Sequence, residues 1–180
     1  MNPSSTIGLV YGSDTGNTEE AGHRIAEVLQ GHGLDVEVMN VTEASAPVLA
    51  GFDFLIMGIP TWDFGGLQQD WEEFEQELAS AALAGKPVAL FGLGDQAGYG
   101  EYFLDALGWL HDRLLEAGAI VLGQWPVAGY RFEASRALTA DGTCFVGLAL
   151  DEDNQSELSD ERIALWVDQL LDEYRQALAA

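Results

Sequence analysis

Thr6-Ile7-Gly8-Leu9-Val10-Tyr11-Gly12-Ser13-Asp14-Thr15-Gly16-Asn17-Thr18 is the stretch whose reading decides the fold. Its first six residues form a short apolar strand closed by Gly12. Residues 19–30 then place Ala21, Ile25, Val28 and Leu29 on one face of a helix, which Gly31 and Gly33 end. Between strand and helix, Ser13, Thr15 and Thr18 offer hydroxyls, Asn17 an amide, and Gly16 a place where the backbone can come close to a ligand. A helix N-terminus adds unpaired N–H groups and a partial positive charge, so the loop suits a phosphate held by neutral donors. It lacks the lysine of G-x-x-x-x-G-K-S/T, and G-x-G-x-x-G is absent, so binding rather than phosphoryl transfer is expected. Taken alone, the same residues also read as an ordinary strand-to-helix turn with a threonine N-cap.

Working outward, the alternation continues. Residues 34–39 alternate as an edge strand does, and residues 54–59 form a continuous apolar run closed by Pro60, as in a strand buried on both faces. Leu67, Trp71, Phe74 and Leu78 share a helix face. Residues 88–93 make another buried strand, and Leu104, Leu107, Leu110 and Leu114 a further helix ended by Gly118. Residues 119–122 and 145–150 are strand pieces. Ser159 is placed to N-cap a last helix with Ile163, Trp166, Val167, Leu170 and Tyr174 inward. The order β-α-β-loop-β-α-β-α-β-α implies one α/β domain, doubly wound in three layers, with a five-stranded parallel sheet in the order 2-1-3-4-5. Its core spans about residues 6–175, and residues 123–143 read as an insertion that splits the last strand.

The chain has 180 residues, 30 acidic and seven basic, for a net charge of −23. This length supports one good core. The charge argues against nucleic acid and anionic membranes and favours partners with a basic face. A single cysteine, Cys144, excludes an internal disulfide or a cysteine-clustered metal site and reads as a small core residue. Met1-Asn2-Pro3-Ser4-Ser5-Thr6 has no targeting pattern, and no run reaches membrane-spanning length, so a cytoplasmic protein is expected. His23, His32 and His111 read as solvated helix residues. Asp151-Glu152-Asp153 lacks the EF-hand pattern and reads as a solvated loop.

Two further loops follow strands at the same sheet edge. Pro60-Thr61-Trp62-Asp63-Phe64-Gly65-Gly66 and Gly94-Asp95-Gln96-Ala97-Gly98-Tyr99 each set a large aromatic among small or polar residues. Trp62 and Tyr99 are placed to form two walls of a slot for a flat ring, although taken singly Trp62 also reads as packing on its own loop and Tyr99 as capping a helix. With the loop 12–18, these motifs resemble the three FMN-binding loops of flavodoxins, and the likeness extends through Gly129-Tyr130-Arg131-Phe132-Glu133-Ala134-Ser135 and residues 145–155. The insertion resembles that of the long-chain subgroup, and Trp62-Asp63-Phe64-Gly65 the bacterial flavodoxin-B type.

The resemblance implies FMN with its phosphate on Ser13, Asp14, Thr15, Gly16, Asn17 and Thr18. Trp62 would lie on the inner ring face and Tyr99 on the outer. Pro60, Thr61, Asp63, Phe64, Gly65, Gly94, Asp95 and Gln96 would line the ring's edges, and Asp151 would reach the ribityl chain. Ser13 stands where threonine is common, and Leu104 where some relatives carry a polar residue. Asp63, Asp95 and Glu101 are expected to oppose charge on the reduced flavin. The implied function is a monomeric, non-enzymatic, low-potential one-electron carrier. It would accept electrons from a ferredoxin/flavodoxin–NADP reductase-type flavoprotein using NADPH and pass them to an acceptor redox enzyme with a basic docking face. An FMN-dependent quinone reductase on the same fold is the alternative. A signalling receiver domain is disfavoured, because Pro60-Thr61-Trp62 stands where a phospho-accepting aspartate is needed and Lys86 is misplaced.

Overall fold

A computed structural model describes residues 6–179. The N-terminal stretch read above for targeting signals lies outside them, apart from Thr6. The strands are β1 (Thr6–Tyr11), β2 (Asp35–Asn40), β3 (Phe54–Pro60), β4 (Pro87–Leu93), β5 (Ile120–Leu122), β6 (Trp125–Pro126), β7 (Cys144–Phe145) and β8 (Leu148–Leu150). The α-helices are α1 (Asn17–Gly31), α2 (Ala46–Gly51), α3 (Gln69–Ser80), α4 (Asp105–Glu116) and α5 (Ser159–Ala179). The main sheet is wholly parallel in the order β2-β1-β3-β4-β5, with β8 also on β4.

Alternation along the central strands builds two cores. Leu55, Met57 and Ile59 of β3 with Val88 and Leu90 of β4 pack against Trp71, Phe74 and Leu78 of α3 and Leu107, Leu110 and Leu114 of α4. Phe54 and Ile56 with Ala89 and Phe91 pack against Ile25 and Leu29 of α1 and Ile163, Trp166 and Leu170 of α5. The sheet is thus buried on both faces, as its continuous apolar runs require. Gly58 is needed where the Phe91 ring crosses β3, since a Cβ there would stand 2.5 Å or less from the ring.

The insertion splits the last strand. Residues 120–122 pair with the first half of β4 and residues 148–150 with its second half. The detour is longer than read from the sequence. Cys144 and Phe145 belong to it, pairing antiparallel with Pro126 and Trp125, and Cys144 is half-buried rather than in the core. The detour packs on α4 through Gly108, whose built Cβ would lie 3.0 Å from the Ala137 nitrogen.

Four other expectations are corrected. The connection 41–53 is not a bare loop. Asn40 and Glu43 form a capping box around a 3-10 turn, and α2 follows with Pro47 in its first turn. Lys86 caps the end of that helix by donating from Nζ to the Ala50 and Phe52 carbonyls. Leu67 precedes α3, because the turn 62–66 delays the helix, yet it still packs on the same core. Leu104 is the left-handed N-cap of α4 (φ 62°), not a helical residue, and stays buried. Ser159 does not cap α5, because a 3-10 turn (Ser156–Leu158) runs straight into the helix and its hydroxyl is buried without a partner among the described residues.

Candidate functional site

Parallel register brings the carboxyl ends of β1, β3, β4 and β8 to one edge, with Tyr11 opposite Gly58, Pro60 opposite Leu93 and Leu93 opposite Leu150. A cleft of about 200 Å³ opens there. Thr15, Asn17, Thr18, Pro60, Thr61, Trp62, Asp63, Leu93, Gly94, Asp95, Tyr99, Tyr102, Glu152 and Asp153 line it, and none of them is basic. Open α/β sheets place ligands at this edge.

The first wall is the start of α1. Gly16 is its N-cap in the left-handed conformation (φ 94°), and no side chain among the described residues caps the helix. The threonine N-cap reading is therefore not what forms. The Gly16 N–H donates to Ser13 Oγ at 3.0 Å, which turns the loop so that Thr15, Asn17 and the buried Thr18 face the cleft. Nothing lies within 4 Å of a Cβ built on Gly16. Ser13, Asp14 and Gly16 shape this wall from behind rather than line it. Asp14 is tied to Gln68, whose Nε2 donates to Asp14 Oδ1 at 3.0 Å and to Asp70 Oδ2 at 2.7 Å.

The second wall is a tight turn closed by two hydrogen bonds between Trp62 and Gly66, at 3.0 and 2.6 Å. It needs positive φ at Asp63 (44°) and Gly65 (85°), and aspartate is among the few side chains that tolerate this region. Gly65 sits on Asp105, where a Cβ would come within 2.9 Å of Oδ2. Phe64, at the tip, is 77% exposed and stands edge-on to Tyr99 and Tyr102. It is a rim residue outside the cleft wall, as is Gly65. Thr61 Oγ1 accepts from the Ala106 N–H at 3.2 Å, so it supplies the N-terminal cap that Leu104 cannot. The Trp62 Nε1 is buried without a hydrogen-bond partner among the described residues.

The third wall follows β4. Gly94 is required, because a Cβ would lie 3.0 Å from the Phe103 ring and 3.2 Å from the Leu104 nitrogen. Asp95 Oδ1 accepts from Ala97 N, Gly98 N and Asn154 Nδ2 at 3.0, 2.7 and 2.8 Å. The Gly98 N–H is the main cause that holds this carboxyl below its ordinary range, against some burial, with Asn154 and Ala97 helping. Gln96 and Asp151 lie behind the wall. Asp151 is fully buried and accepts from Gln96 N, Gln96 Nε2, Asn154 N and Asn154 Nδ2, while Gln96 Oε1 accepts from the Arg131 N–H of the insertion. The pair fastens three loops together, and neither residue meets the cleft.

Leu93, Tyr102, Glu152 and Asp153 line the cleft without having been named as ligand residues from the sequence. The run 151–153, read as a solvated loop, follows β8 at the same edge. Burial raises the Asp153 carboxyl above its ordinary range, and the charges of Asp95, Asp151 and Glu152 add to this. Glu101 is exposed and lies off the cleft, and Leu104 is wholly within the core. Of the histidines, His32 and His23 lie near Asp168 and Glu19, and half-buried His111 is held below its ordinary pKa by burial.

Comparison with known proteins agrees with this geometry. The flavodoxin family model matches residues 9–166. Flavodoxin 2 of Escherichia coli (strain K12) is 50% identical over 173 residues, covering 96% of this chain and 99% of that protein. The flavodoxin of Haemophilus influenzae is 46% identical over 168 residues, covering 93% and 94%. The crystal structure of Fusobacterium nucleatum flavodoxin bound to flavin mononucleotide superposes with a TM-score of 0.87 at 31% identity, covering 94% of this chain and 98% of that one.

Proposed function

The chain belongs to the flavodoxin family, and on that premise we propose that it binds one FMN non-covalently in the cleft at the carboxyl edge of the sheet and works as a single-domain monomer. It is an electron-transfer flavoprotein, an electron carrier rather than an enzyme. The observation that carries the site assignment is a cleft with neutral donors at one end and aromatic walls at the other.

The residues fit the group. Thr15, Asn17, Thr18 and the uncapped first turn of α1 are donors for a phosphate. Trp62 and Tyr99 are walls for the ring, and the orphaned Trp62 Nε1 is a buried donor awaiting an acceptor. Asp63, Gly94 and Asp95, which line the cleft, would meet the ring's polar edge through backbone groups. Bound FMN supplies the redox chemistry, accepting and releasing electrons one at a time. The protein's part is electrostatic: Asp63, Asp95 and Asp153 line the cleft without a cation partner among the described residues, and their charge disfavours extra negative charge inside it. That makes the loaded protein a stronger reductant.

The donor is an NADPH-dependent reductase of the ferredoxin/flavodoxin–NADP type, and the acceptor a redox enzyme with a basic face. The net charge of −23 supports such partners. No helix among the described residues is long and apolar enough to cross a membrane. Redox titration of the FMN-loaded protein tests the reading. Two separate one-electron steps are expected, with Asp95→Asn and Asp153→Asn raising the second. A single two-electron step, or quinone turnover with NADPH and no reductase, would contradict it.

A further inference from the structure

Four carboxylates line the cleft, and one of them is neutralised. Glu152 Oε1 meets Arg24 Nη2 at 3.0 Å, whereas Asp63, Asp95 and Asp153 have no cation partner among the described residues. The pair is sheltered, since the Arg24 and Glu152 side chains are 23% and 16% exposed. Arg24 also reaches Asp160 Oδ1 at 3.1 Å and lies 4.0 Å from Glu20. It stands on α1 six residues past Thr18, about 9 Å along the helix axis at 1.5 Å per residue. Glu152 is therefore held beside α1, and it lines the same cleft as Thr15, Asn17 and Thr18.

An anion beside a phosphate site opposes binding unless it is compensated. We infer that Arg24 is a specificity-determining positioning residue: by neutralising Glu152 at the phosphate end, it lets an otherwise uniformly acidic cleft accept the phosphorylated flavin. The inference rests on the proposal that the ligand is FMN. Its logic is spatial. Asp63, Asp95 and Asp153 have no cation to offset them among the described residues and shape the redox step, while Glu152 is offset by Arg24 of α1. Arg24 is not among the residues that line the cleft, and its guanidinium donates to Glu152 and Asp160.

The test measures dissociation constants of FMN and riboflavin for ligand-free protein at low salt. Arg24→Gln leaves the Glu152 charge uncompensated, which weakens the binding of a phosphate dianion at the start of α1 on the order of tenfold. Riboflavin, lacking the phosphate, changes by less than about twofold on the same argument. Glu152→Gln alone tightens FMN, Arg24→Gln with Glu152→Gln returns close to the wild-type value, and Arg24→Lys retains most of the affinity. High salt shrinks the FMN effect. Equal losses for FMN and riboflavin, or no rescue by Glu152→Gln, would overturn the inference. If Arg24→Gln fails to fold, Glu152→Gln decides, since an unchanged FMN affinity refutes it. Wild-type protein that binds no FMN would instead defeat the assignment of the ligand.

Discussion

Gln68→Glu is nearly isosteric, yet it should disturb the phosphate-side wall severely. The Gln68 side chain is 1% exposed, and its Nε2 is the donor shared by Asp14 Oδ1 (3.0 Å) and Asp70 Oδ2 (2.7 Å). Two carboxylate acceptors facing one atom leave no alternative amide orientation. A hydrogen bond to a charged group contributes about 1.5–3 kcal/mol, and the exposure of Asp14 reduces its bond to about 1. Substitution replaces both bonds by repulsion among three carboxylates, so a loss of about 2–4 kcal/mol is expected near pH 7. For a chain of this size that lowers Tm by about 5–15 °C. The new carboxyl would have its folded pKa raised by two anionic neighbours. It therefore binds a proton more tightly folded than unfolded, and the deficit grows as pH rises above the ordinary glutamate range and shrinks towards pH ~4. Thermal unfolding of ligand-free protein at both pH values is the assay. A variant melting within about 1 °C of wild type at neutral pH, or a deficit that ignores pH, would refute the shared-donor account.

The other consequences are separable. Asp153→Asn removes a carboxyl whose raised folded pKa makes its ionised form destabilising, so the variant should be more stable than wild type above the ordinary aspartate range and equal to it in acid; melting curves against pH check this. Tyr130→Phe strips a hydroxyl that donates to the Ala149 carbonyl at 2.6 Å and accepts from Trp125 Nε1 at 2.9 Å, leaving two groups unpaired at a cost of about 1–3 kcal/mol by chemical unfolding. The phenol it removes is pushed up to about 12, chiefly by burial, so wild-type Tyr130 should not ionise in an absorbance titration to pH 11. Gly108→Ala should destabilise although alanine is the better helix former by about 1 kcal/mol, because the new Cβ would press on the insertion backbone at Arg136 and Ala137; a gain in stability would mean that the insertion does not pack tightly on α4.

Much of this was legible in the sequence because it is local. Apolar runs ending in Gly12, Pro60 and Gly94 mark strands whose carboxyl ends carry the loops, and an alternating order forces those ends to one edge. The aromatic pair Trp62 and Tyr99 stands out for the same reason. What escaped is non-local. Gln68 looks like any polar residue ahead of a helix until folding sets it against Asp14, 54 positions away. Asp151 reads as part of a solvated run or, by the family resemblance, as a ribityl contact, whereas its oxygens are taken up by Gln96, 55 positions back, and by Asn154, so it fastens loops behind the cleft. Glu152 and Asp153 line the cleft because β8 closes on β4 and brings its carboxyl end to that edge. Ser159 carried a sound capping signal that the preceding 3-10 turn overrode.

Fluorescence of FMN titrated with ligand-free protein tests the central claim most directly. The account expects saturation at one FMN per chain with strong quenching, since Trp62 and Tyr99 both face the cleft, and with Trp62→Ala and Tyr99→Ala each weakening the complex. FMN that keeps its free-solution emission in the presence of excess protein would contradict it.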